Sequence, residues 1–276
     1  MPSCIPIFIL LLLISSCESH DTLTHAKPLF SGDKLISNSR DFALGFFSPS
    51  SSNTRLYLGI WYNQIPGRHV VWVANRDNPI TTASSATLAI TNNSDLVLSD
   101  SQDRTSWVTK YNITTGGTGV AAALLDTGNF VLRLANGTDI WQTFDHPTAT
   151  ILPTMKFLVS RKAKVGMRLV AWKGPDDPSS GDFSCSGDPA SPDLQILVWN
   201  GTRPYYRGVW NGQAVSGGMY LINSSSVVVQ TAVDLQDELY FSSSCLTTQV
   251  RCASAFMGLS LMMLITFQRA VGERKQ

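Results

Sequence analysis

Short segments of alternating apolar and polar residues run through the first 150 residues, with clusters of turn-forming residues between them. Alternation with a period of two is typical of strands that bury one face, and no convincing helical period accompanies it. The pattern therefore predicts an all-β unit. Its predicted strands are Phe42–Phe46, Leu56–Trp61, Val70–Val73, Leu88–Ile90, Leu96–Leu98 and Phe130–Leu132.

One pattern recurs three times in this unit: a polar lead-in, an Asp or Asn, alternating apolar residues and then a Trp. The Asp or Asn is Asp41, Asp95 and Asn129 in the three copies, and the Trp is Trp61, Trp107 and Trp141. The two are 12 residues apart in copies two and three but 20 apart in copy one, which indicates an insertion there. A threefold repeat of short strands predicts a pseudo-threefold β body with three equivalent surface sites.

Four tryptophans lie in or near the predicted strands, namely Trp61, Trp72, Trp107 and Trp141. Large aromatic side chains are mostly buried, so we expect these four to pack where the sheets meet. A tryptophan on a sheet surface can instead stack on a sugar ring, and the pattern leaves that alternative open.

A second β-rich unit is predicted at 151–241, after a connector at 145–155. Its predicted strands are Leu194–Trp199, Tyr205–Trp210 and Ser226–Val233, with a loop at Gly174–Asp182. Residues 242–276 differ in character and contain an apolar run at 253–267 with a basic flank. If the run at 253–267 is helical it spans about 23 Å, less than the ~30 Å hydrocarbon core of a bilayer. Residues 242–276 can therefore be interpreted either as a membrane anchor or as an unrelated tail.

Residues 1–20 have the features of a secretory signal, with an apolar run followed by small residues. Five Asn-x-Ser/Thr sequons support a secretory route and predict glycosylation at Asn92, Asn112, Asn136, Asn200 and Asn223. We therefore expect a secreted protein, or a cell-surface one if the apolar run anchors it. The mature chain keeps Cys185, Cys245 and Cys252, an odd number that indicates a free thiol, an interchain bridge or a missing partner.

Composition excludes several classes of function. The net charge is +1 and only 15% of residues are charged, so nothing indicates nucleic-acid binding. The four histidines are scattered, and no zinc-protease helix motif, serine nucleophile elbow or phosphate-binding glycine loop occurs in the sequence. We expect no catalytic residue, no metal and no cofactor.

Several longer stretches together resemble the extracellular part of plant S-domain (G-type lectin) receptor-like kinases and S-locus glycoproteins. They are Asp41–Pro49, Leu58–Tyr62, Val71–Pro79, Leu125–Leu132 and Ile140–Thr148, and the resemblance continues to about Tyr240. It implies that 21–150 is a bulb-type lectin β-prism, three four-stranded antiparallel sheets around a pseudo-threefold axis. It also implies that 151–241 is an incomplete S-locus glycoprotein domain. The kinase signatures of the family's receptors are absent from the sequence.

The resemblance also implies where sugar would bind, because bulb lectins hold mannose with Gln-x-Asp-x-Asn-x-Val-x-Tyr in each repeat. The Gln position is Ser37, Thr91 and Leu125; the Asp position is Ser39, Asn93 and Thr127; the Asn position is Asp41, Asp95 and Asn129; the Val position is Ala43, Val97 and Val131; the Tyr position is Gly45, Ser99 and Arg133. Gln and Tyr are missing from every copy, and a polar site loses affinity with each missing hydrogen bond. Copy two keeps the most motif-like residues, with Asn93, Asp95 and Val97.

Three interpretations follow. The first is a non-catalytic recognition module of the S-domain class, acting in self/non-self or pollen recognition or in defence signalling. It would bind a glycan or peptide ligand, or a receptor-kinase ectodomain as a homo- or heterodimer. The second is a working mannose lectin, and the third is a non-functional truncated product. Asp41, Asp95 and Asn129 could also serve only to end turns before strands.

Overall fold

The computed structural model describes residues 21–49, 55–81, 85–110, 119–191, 195–209 and 228–245. Within these ranges the regular structure is β-strand, apart from one turn of 3-10 helix at Thr143–Asp145. No helix in these ranges is long and apolar enough to cross a membrane. The predicted signal at 1–20, the apolar run at 253–267, and Asn112 and Asn223 lie outside the described residues.

The first twelve strands form three four-stranded antiparallel sheets. The first sheet has the order β3 (Lys34–Ile36), β4 (Phe42–Phe47), β5 (Tyr57–Tyr62), β6 (Val70–Val73). The second has the order β2 (Leu29–Phe30), β7 (Ala86–Ile90), β8 (Leu96–Asp100), β9 (Thr105–Val108). The third has the order β1 (Thr22–Thr24), β10 (Val120–Leu124), β11 (Phe130–Leu134), β12 (Asp139–Gln142).

The N-terminal segment joins the three sheets to one another. β1, β2 and β3 follow one another along the chain, yet β1 pairs with β10, β2 with β7 and β3 with β4. Each sheet is otherwise made of three consecutive strands. One short segment therefore supplies an outer strand to all three sheets and holds them together at that end of the prism.

The core of the prism is built from the inward-facing residues of the central strands. β7 and β8 alternate buried and half-buried residues, as a period of two requires. The third strands of the sheets contribute Leu58, Ile60, Leu96, Leu98, Phe130 and Leu132 to one cluster. The expected alternation is confirmed for β7, β8 and β10, whereas all six residues of β5 are buried.

Trp72, Trp107 and Trp141 meet at the end of the prism opposite the N-terminal strands, one from the fourth strand of each sheet. Their rings contact edge to face, with centroids 5.9, 6.2 and 5.6 Å apart. Trp61 lies outside this tryptophan triangle but is only 4% exposed. The expectation that they pack where the sheets meet is confirmed for Trp72, Trp107 and Trp141, whereas Trp61 is buried on the outer side of the first sheet.

The pairing register shows which residues of the three sheets are equivalent. Ile60 pairs with Trp72, Leu98 with Trp107, and Leu132 with Trp141, and in each sheet the register shifts directly after that pair. Trp72 is therefore the equivalent of Trp107 and Trp141. The assignment of Trp61 to the first copy of the repeat is wrong.

The same register shows that the strand of the first repeat copy is β5 and not β4. Leu58 is two residues before Ile60, just as Leu96 precedes Leu98, so Tyr57 occupies the position of Asp95. Asp41 instead lies in the turn between β3 and β4, where its carbonyl oxygen accepts a hydrogen bond from the backbone N–H of Asn63 at 2.7 Å. The sequence pattern misplaced this copy because the polar lead-in and apolar alternation of β4 imitate those of β8 and β11.

The second unit contains two further four-stranded sheets. The fourth sheet has the order β15 (Arg168–Gly174), β16 (Asp177–Gly187), β17 (Gln195–Asn200), β18 (Arg203–Val209). The fifth has the order β14 (Val165–Gly166), β13 (Phe157–Ser160), β20 (Glu238–Cys245), β19 (Val228–Asp234). Between them lies a second core of Phe157, Val159, Leu169, Cys185, Ile196, Val198, Leu239 and Phe241.

Two details of this unit differ from expectation. The loop expected at Gly174–Asp182 is a tight hairpin, in which Gly174 pairs with Asp177 and Trp172 with Ser180. Its Gly, Pro and Ser residues look like a loop, but contacts from the prism hold their backbone in strand conformation. β20 also continues to Cys245, past the expected limit at 241, because its last residues pair with β19.

Cys185 is buried and forms no disulfide among the described residues. Burial raises the pKa of its thiol to about 12. Cys252 lies outside the described residues, so the pairing of the remaining cysteines stays a prediction.

Candidate carbohydrate-binding faces

Each third strand presents three alternate residues on the outer side of its sheet, where a bulb-lectin motif would meet a sugar. These are Tyr57, Gly59 and Trp61 on the first sheet, Asp95, Val97 and Ser99 on the second, and Asn129, Val131 and Arg133 on the third. The prism thus has three equivalent faces. Their chemistry differs.

Asp95 and Asn129 each accept a hydrogen bond from the threonine of a Trp-x-Thr sequence, Thr109 and Thr143 respectively. The Thr109 hydroxyl donates to Asp95 Oδ1 at 2.8 Å, and the Thr143 hydroxyl donates to Asn129 Oδ1 at 3.1 Å. In each case the Thr oxygen accepts the backbone N–H at the start of the strand, from Leu96 at 3.1 Å and from Phe130 at 2.9 Å. The two motif residues therefore fasten the third strand to the fourth.

In the first sheet a single side chain, that of Asn75, fastens the third strand to the fourth. Asn75 Oδ1 accepts the backbone N–H of Leu58 directly at 2.9 Å, and its Nδ2 donates to the carbonyl of Leu56 at 3.2 Å. Asn75 is 2% exposed, so this amide is part of the interior. The strand therefore needs no Asp or Asn at the Tyr57 position.

The third face is closed by its own side chains. Asn129 Nδ2 donates to Gln142 Oε1 at 2.8 Å, and Asn129 Oδ1 also accepts the backbone N–H of Phe144 at 3.2 Å. Val131 is completely buried. Arg133 forms a two-pronged ion pair with Asp139 at 2.6 and 3.1 Å, which raises the pKa of the Arg133 guanidinium. The motif amide and valine are thus both engaged within the protein.

The first face is filled by aromatic side chains. Gly59 stands at the Val position, and a Cβ there would lie 2.6 Å from Cε1 of Phe47. Phe47, Tyr57 and Val73 form a small buried cluster against which Trp172 of the second unit packs. Trp61 is covered by the cations of Lys34 and Arg68, at 5.7 and 5.4 Å from its ring centroid. Among the described residues, aromatic and cationic side chains therefore occupy the positions where a sugar would lie.

The second unit docks beside this face through Arg76, which is only 8% exposed. Its guanidinium donates to the carbonyl oxygens of Val170, Ala171 and Pro178 at 2.9 Å each, and to that of Ser179 at 3.4 Å. Burial lowers the pKa of this guanidinium, and neighbouring Asp77 opposes that shift.

Asp77 adds two hydrogen bonds to this contact between the two units. Its carboxylate accepts the backbone N–H and the hydroxyl of Ser180 at 2.7 and 2.8 Å. Arg55 adds a long ion pair to Asp177 at 3.9 Å, in which the Arg side chain is 57% exposed, so it contributes little. Arg76 and Asp77 therefore supply the close hydrogen bonds of this contact, in addition to the packing of Trp172 on the first face.

The second face is the one that stays accessible. Asn93 is exposed and Val97 is half-buried, whereas Asp95 is 9% exposed. Asp95 accepts the Thr109 hydroxyl on one carboxylate oxygen. Among the described residues, exposed Asn93 and half-buried Val97 and Ser99 are therefore the accessible part of this face.

Three of the predicted glycosylation sites lie in the described part of the chain, and all three are exposed: Asn92, Asn136 and Asn200. Asn136 Oδ1 accepts the backbone N–H of Thr138 at 3.0 Å, which shapes the turn of the hairpin. Asn92 Oδ1 lies 2.9 Å from Nε2 of His25. Their exposure is what a glycan requires, and glycosylation itself stays a prediction.

Comparisons with known proteins agree with this architecture. Residues 69–173 match the D-mannose binding lectin family. The chain is 45% identical over 213 residues to receptor-like serine/threonine-protein kinase SD1-7 of Arabidopsis thaliana, and 41% identical over 220 residues to S-locus-specific glycoprotein S6 of Brassica oleracea. The matched part of the chain belongs to the S-domain family. These matches cover 75% and 76% of this chain but only 25% and 49% of the two relatives.

Solved lectin structures also align with part of this chain. A Marasmius oreades lectin aligns with 45% of this chain and 89% of its own at a TM-score of 0.35 and 18% identity. A monomeric mannose-binding lectin of Gastrodia elata aligns with 45% of this chain and 94% of its own at a TM-score of 0.35 and 20% identity.

The residues that join the two units were not indicated by the sequence pattern. Arg76 and Asp77 stood inside a matched family stretch without a role, since nothing in a sequence shows which carbonyls a guanidinium will reach. The sequence did contain a signal for the structural role of Thr109 and Thr143. Copies two and three both end in Trp-x-Thr at the same distance from the Asp or Asn.

Proposed function

We propose that this chain is a non-catalytic extracellular recognition module of the S-domain class, which binds a partner protein or peptide rather than three mannose residues. The observation that carries the proposal is the closure of two of the three sugar faces by the chain's own residues. Phe47 and Trp172 fill the first face, and Asn129 and Val131 are engaged on the third.

The family supports this proposal. The matched relatives are named as a receptor-like serine/threonine-protein kinase and an S-locus-specific glycoprotein. By this proposal the chain takes part in self/non-self recognition or defence signalling, with a receptor-kinase ectodomain or a secreted peptide as its partner.

The test is a direct binding measurement between the glycosylated full chain and purified S-domain receptor ectodomains, read by biolayer interferometry. Saturable binding that survives enzymatic removal of the glycans supports a protein partner. Absence of binding to every receptor ectodomain and to secreted peptide fractions would contradict the proposal.

A second candidate is a mannose site on the second face, favoured by the exposure of Asn93 and Val97. Retention on mannose-agarose that is lost in Asn93→Ala would support it, and this change keeps the Asn92 sequon. Asn38→Ala is the matched control, since Asn38 is an equally exposed amide in the turn before β4. Equal retention of both variants, or no retention of the native chain, would exclude this face as a sugar site.

A further inference from the structure

The Trp61 end of the first face, formed by Lys34, Trp61 and Arg68, carries two cations over one indole ring. The Lys34 ammonium lies 5.7 Å and the Arg68 guanidinium 5.4 Å from the ring centroid. Because both distances are measured to one centroid, the separation of the two cations cannot exceed their sum. Lys34 and Arg68 are exposed, whereas Trp61 is buried beneath them. This end of the face therefore presents positive charge to solvent.

The loop between β5 and β6 holds the backbone of Arg68 beside the first sheet. Ile65 of this loop packs against the core of the prism, and the His69 carbonyl accepts the backbone N–H of Tyr62 at 3.2 Å. Gly67 and Arg68 have φ angles of +93° and +41°. A positive φ is unfavourable for a residue with a Cβ, so the closed loop imposes this conformation on Arg68. The position of the guanidinium is thus built into the fold.

Neither cation forms an ion pair with a carboxylate in the described part of the chain, where the ion pairs join other residues. Asp33, which precedes Lys34, accepts the backbone N–H of Phe30 at 3.2 Å. Two cations held near each other repel, and an anion placed between them offsets that repulsion with charge-assisted hydrogen bonds. The Trp61 end is therefore complementary to a negatively charged ligand.

The second unit leaves the Trp61 end open. Its Trp172 packs on the cluster that contains Tyr57, at the other end of β5. Four residues of extended strand separate Tyr57 from Trp61, a distance of about 13 Å. The two cations are consequently exposed although the same face is covered at its far end.

A cavity of about 400 Å³ lies beside β3 and is lined in part by Lys34. Half-buried Pro28 and Ile36 also line it, together with exposed Lys27 and Asp33. A depression of this size admits an apolar side chain, but the carboxylate of Asp33 disfavours a second negative charge there. A segment that crosses β3 would therefore place an apolar residue in the cavity and its acidic residues over the indole.

We propose that the Trp61 end and this cavity bind an acidic, extended segment of a partner protein. Carboxylates at alternate positions of an extended segment lie about 6.6 Å apart on one side, a spacing that the two centroid distances allow. One carboxylate pairs with Lys34, the other pairs with Arg68, and an adjoining apolar side chain enters the cavity. The proposal rests on the recognition function proposed above and names the chemistry of its partner.

The test is an NMR titration of the ¹⁵N-labelled full chain with the peptide Gly-Leu-Ser-Glu-Ser-Glu-Ser-Gly, blocked at both ends. In an extended conformation this peptide presents its Leu and both Glu side chains on one side. The Trp61 indole and Gly67 amide signals should shift saturably at about 50 mM salt, and the affinity should fall as salt is added. Lys34→Gln combined with Arg68→Gln should weaken binding about tenfold, the effect of two exposed ion pairs.

Two further double variants separate charge at this site from charge in general. Lys162→Gln with Arg203→Gln is the matched control, because it removes the same charge from exposed positions of the second unit, and it should bind as the native chain does. Lys34→Arg with Arg68→Lys keeps both charges and should retain the native affinity within about twofold. Melting temperatures check that each variant is folded.

Three outcomes would overturn this proposal. They are no shift with the acidic peptide, equal affinity of the Lys34 and Arg68 glutamine variant and its matched control, and shifts with polygalacturonate or inorganic sulfate but none with the peptide. Equal binding of receptor ectodomains to the native chain and to that glutamine variant would also refute this surface, while the recognition function stands. If the peptide binds through the two cations but no receptor ectodomain or secreted peptide fraction binds the chain, the proposed function alone fails.

Discussion

Replacement of Arg76 should separate the second unit from the prism. Arg76→Met keeps most of the apolar stem but leaves the carbonyl oxygens of Val170, Ala171 and Pro178 without their donors, each of which was bonded at 2.9 Å. Hydrogen bonds to charged groups contribute about 1.5–3 kcal/mol each, and ordinary ones about 1 kcal/mol. Because two of the three bonds are only partly buried, water can replace the lost donors there, so we take about 1 kcal/mol per bond and a total loss of about 3 kcal/mol.

Urea unfolding followed by tryptophan fluorescence measures this loss. Arg76→Met should lower the free energy of unfolding by about 3 kcal/mol, and the second unit should unfold before the prism. Arg76→Lys should recover only part of it, because an ammonium cannot bond several carbonyls as a planar guanidinium does.

Arg203→Met is the control, since Arg203 is exposed in the same unit, and it should change stability by no more than about 0.5 kcal/mol. A loss for Arg76→Met no larger than that of Arg203→Met would refute the assignment of Arg76 as the joining residue.

Three further predictions concern stability. Burial raises the pKa of Cys185 from its ordinary 9.0 to about 12, so the folded state keeps a proton that the unfolded thiol loses. The stability of the native chain relative to Cys185→Ala should therefore fall as pH rises above about 9, and constant relative stability up to the limit of alkaline unfolding would contradict this. Burial alone would raise the pKa of Asp100, but hydrogen bonds from the side chain and backbone of Arg104 and from the backbone of Gln102 lower it to about 2. Asp100→Asn should be less stable than the native chain at pH 7 by urea unfolding, and the difference should shrink as pH falls from 3.8 towards 2; a difference that is independent of pH would count against this carboxylate. Gly59→Ala should cost about 1–3 kcal/mol of unfolding free energy, because its Cβ would lie 2.6 Å from the Phe47 ring and 2.9 Å from the Trp72 carbonyl. Gly174→Ala is its control, with no atom within 4 Å, and equal unfolding midpoints for the two variants would show that the first face has spare room.

The residue pattern predicted a pseudo-threefold all-β unit because its strongest signals are local, and the family resemblance implied the β-prism. Alternation of apolar residues and the fixed spacing of Trp107 and Trp141 depend on strand period and hairpin length, which a sequence displays directly. The first copy was misplaced because Asp41 precedes an alternating strand just as Asp95 does. Only the pairing of Ile60 with Trp72 shows that β5 is the equivalent strand.

The sugar faces were less predictable because their closure comes from distant residues. Phe47 and Trp172 are 125 positions apart in the chain, yet they pack in one cluster over the first face. Asn129 looked like a sugar ligand by its place in the motif, while its hydrogen bonds to Gln142 and Thr143 follow from packing. The hairpin at Gly174 and Asp177 was read as a loop for the same reason, since its strand conformation depends on contacts with Arg76 and Asp77.

A mannose titration of the full chain labelled with ¹⁵N and in its methyl groups, followed by NMR, tests the closure of the first and third faces most directly. The Val131 methyl signals and the Gly59 amide signal should stay unmoved at saturating mannose, because Val131 is completely buried and Gly59 is covered by Phe47. Saturable shifts of either signal, with the Val97 methyls unmoved, would contradict that closure.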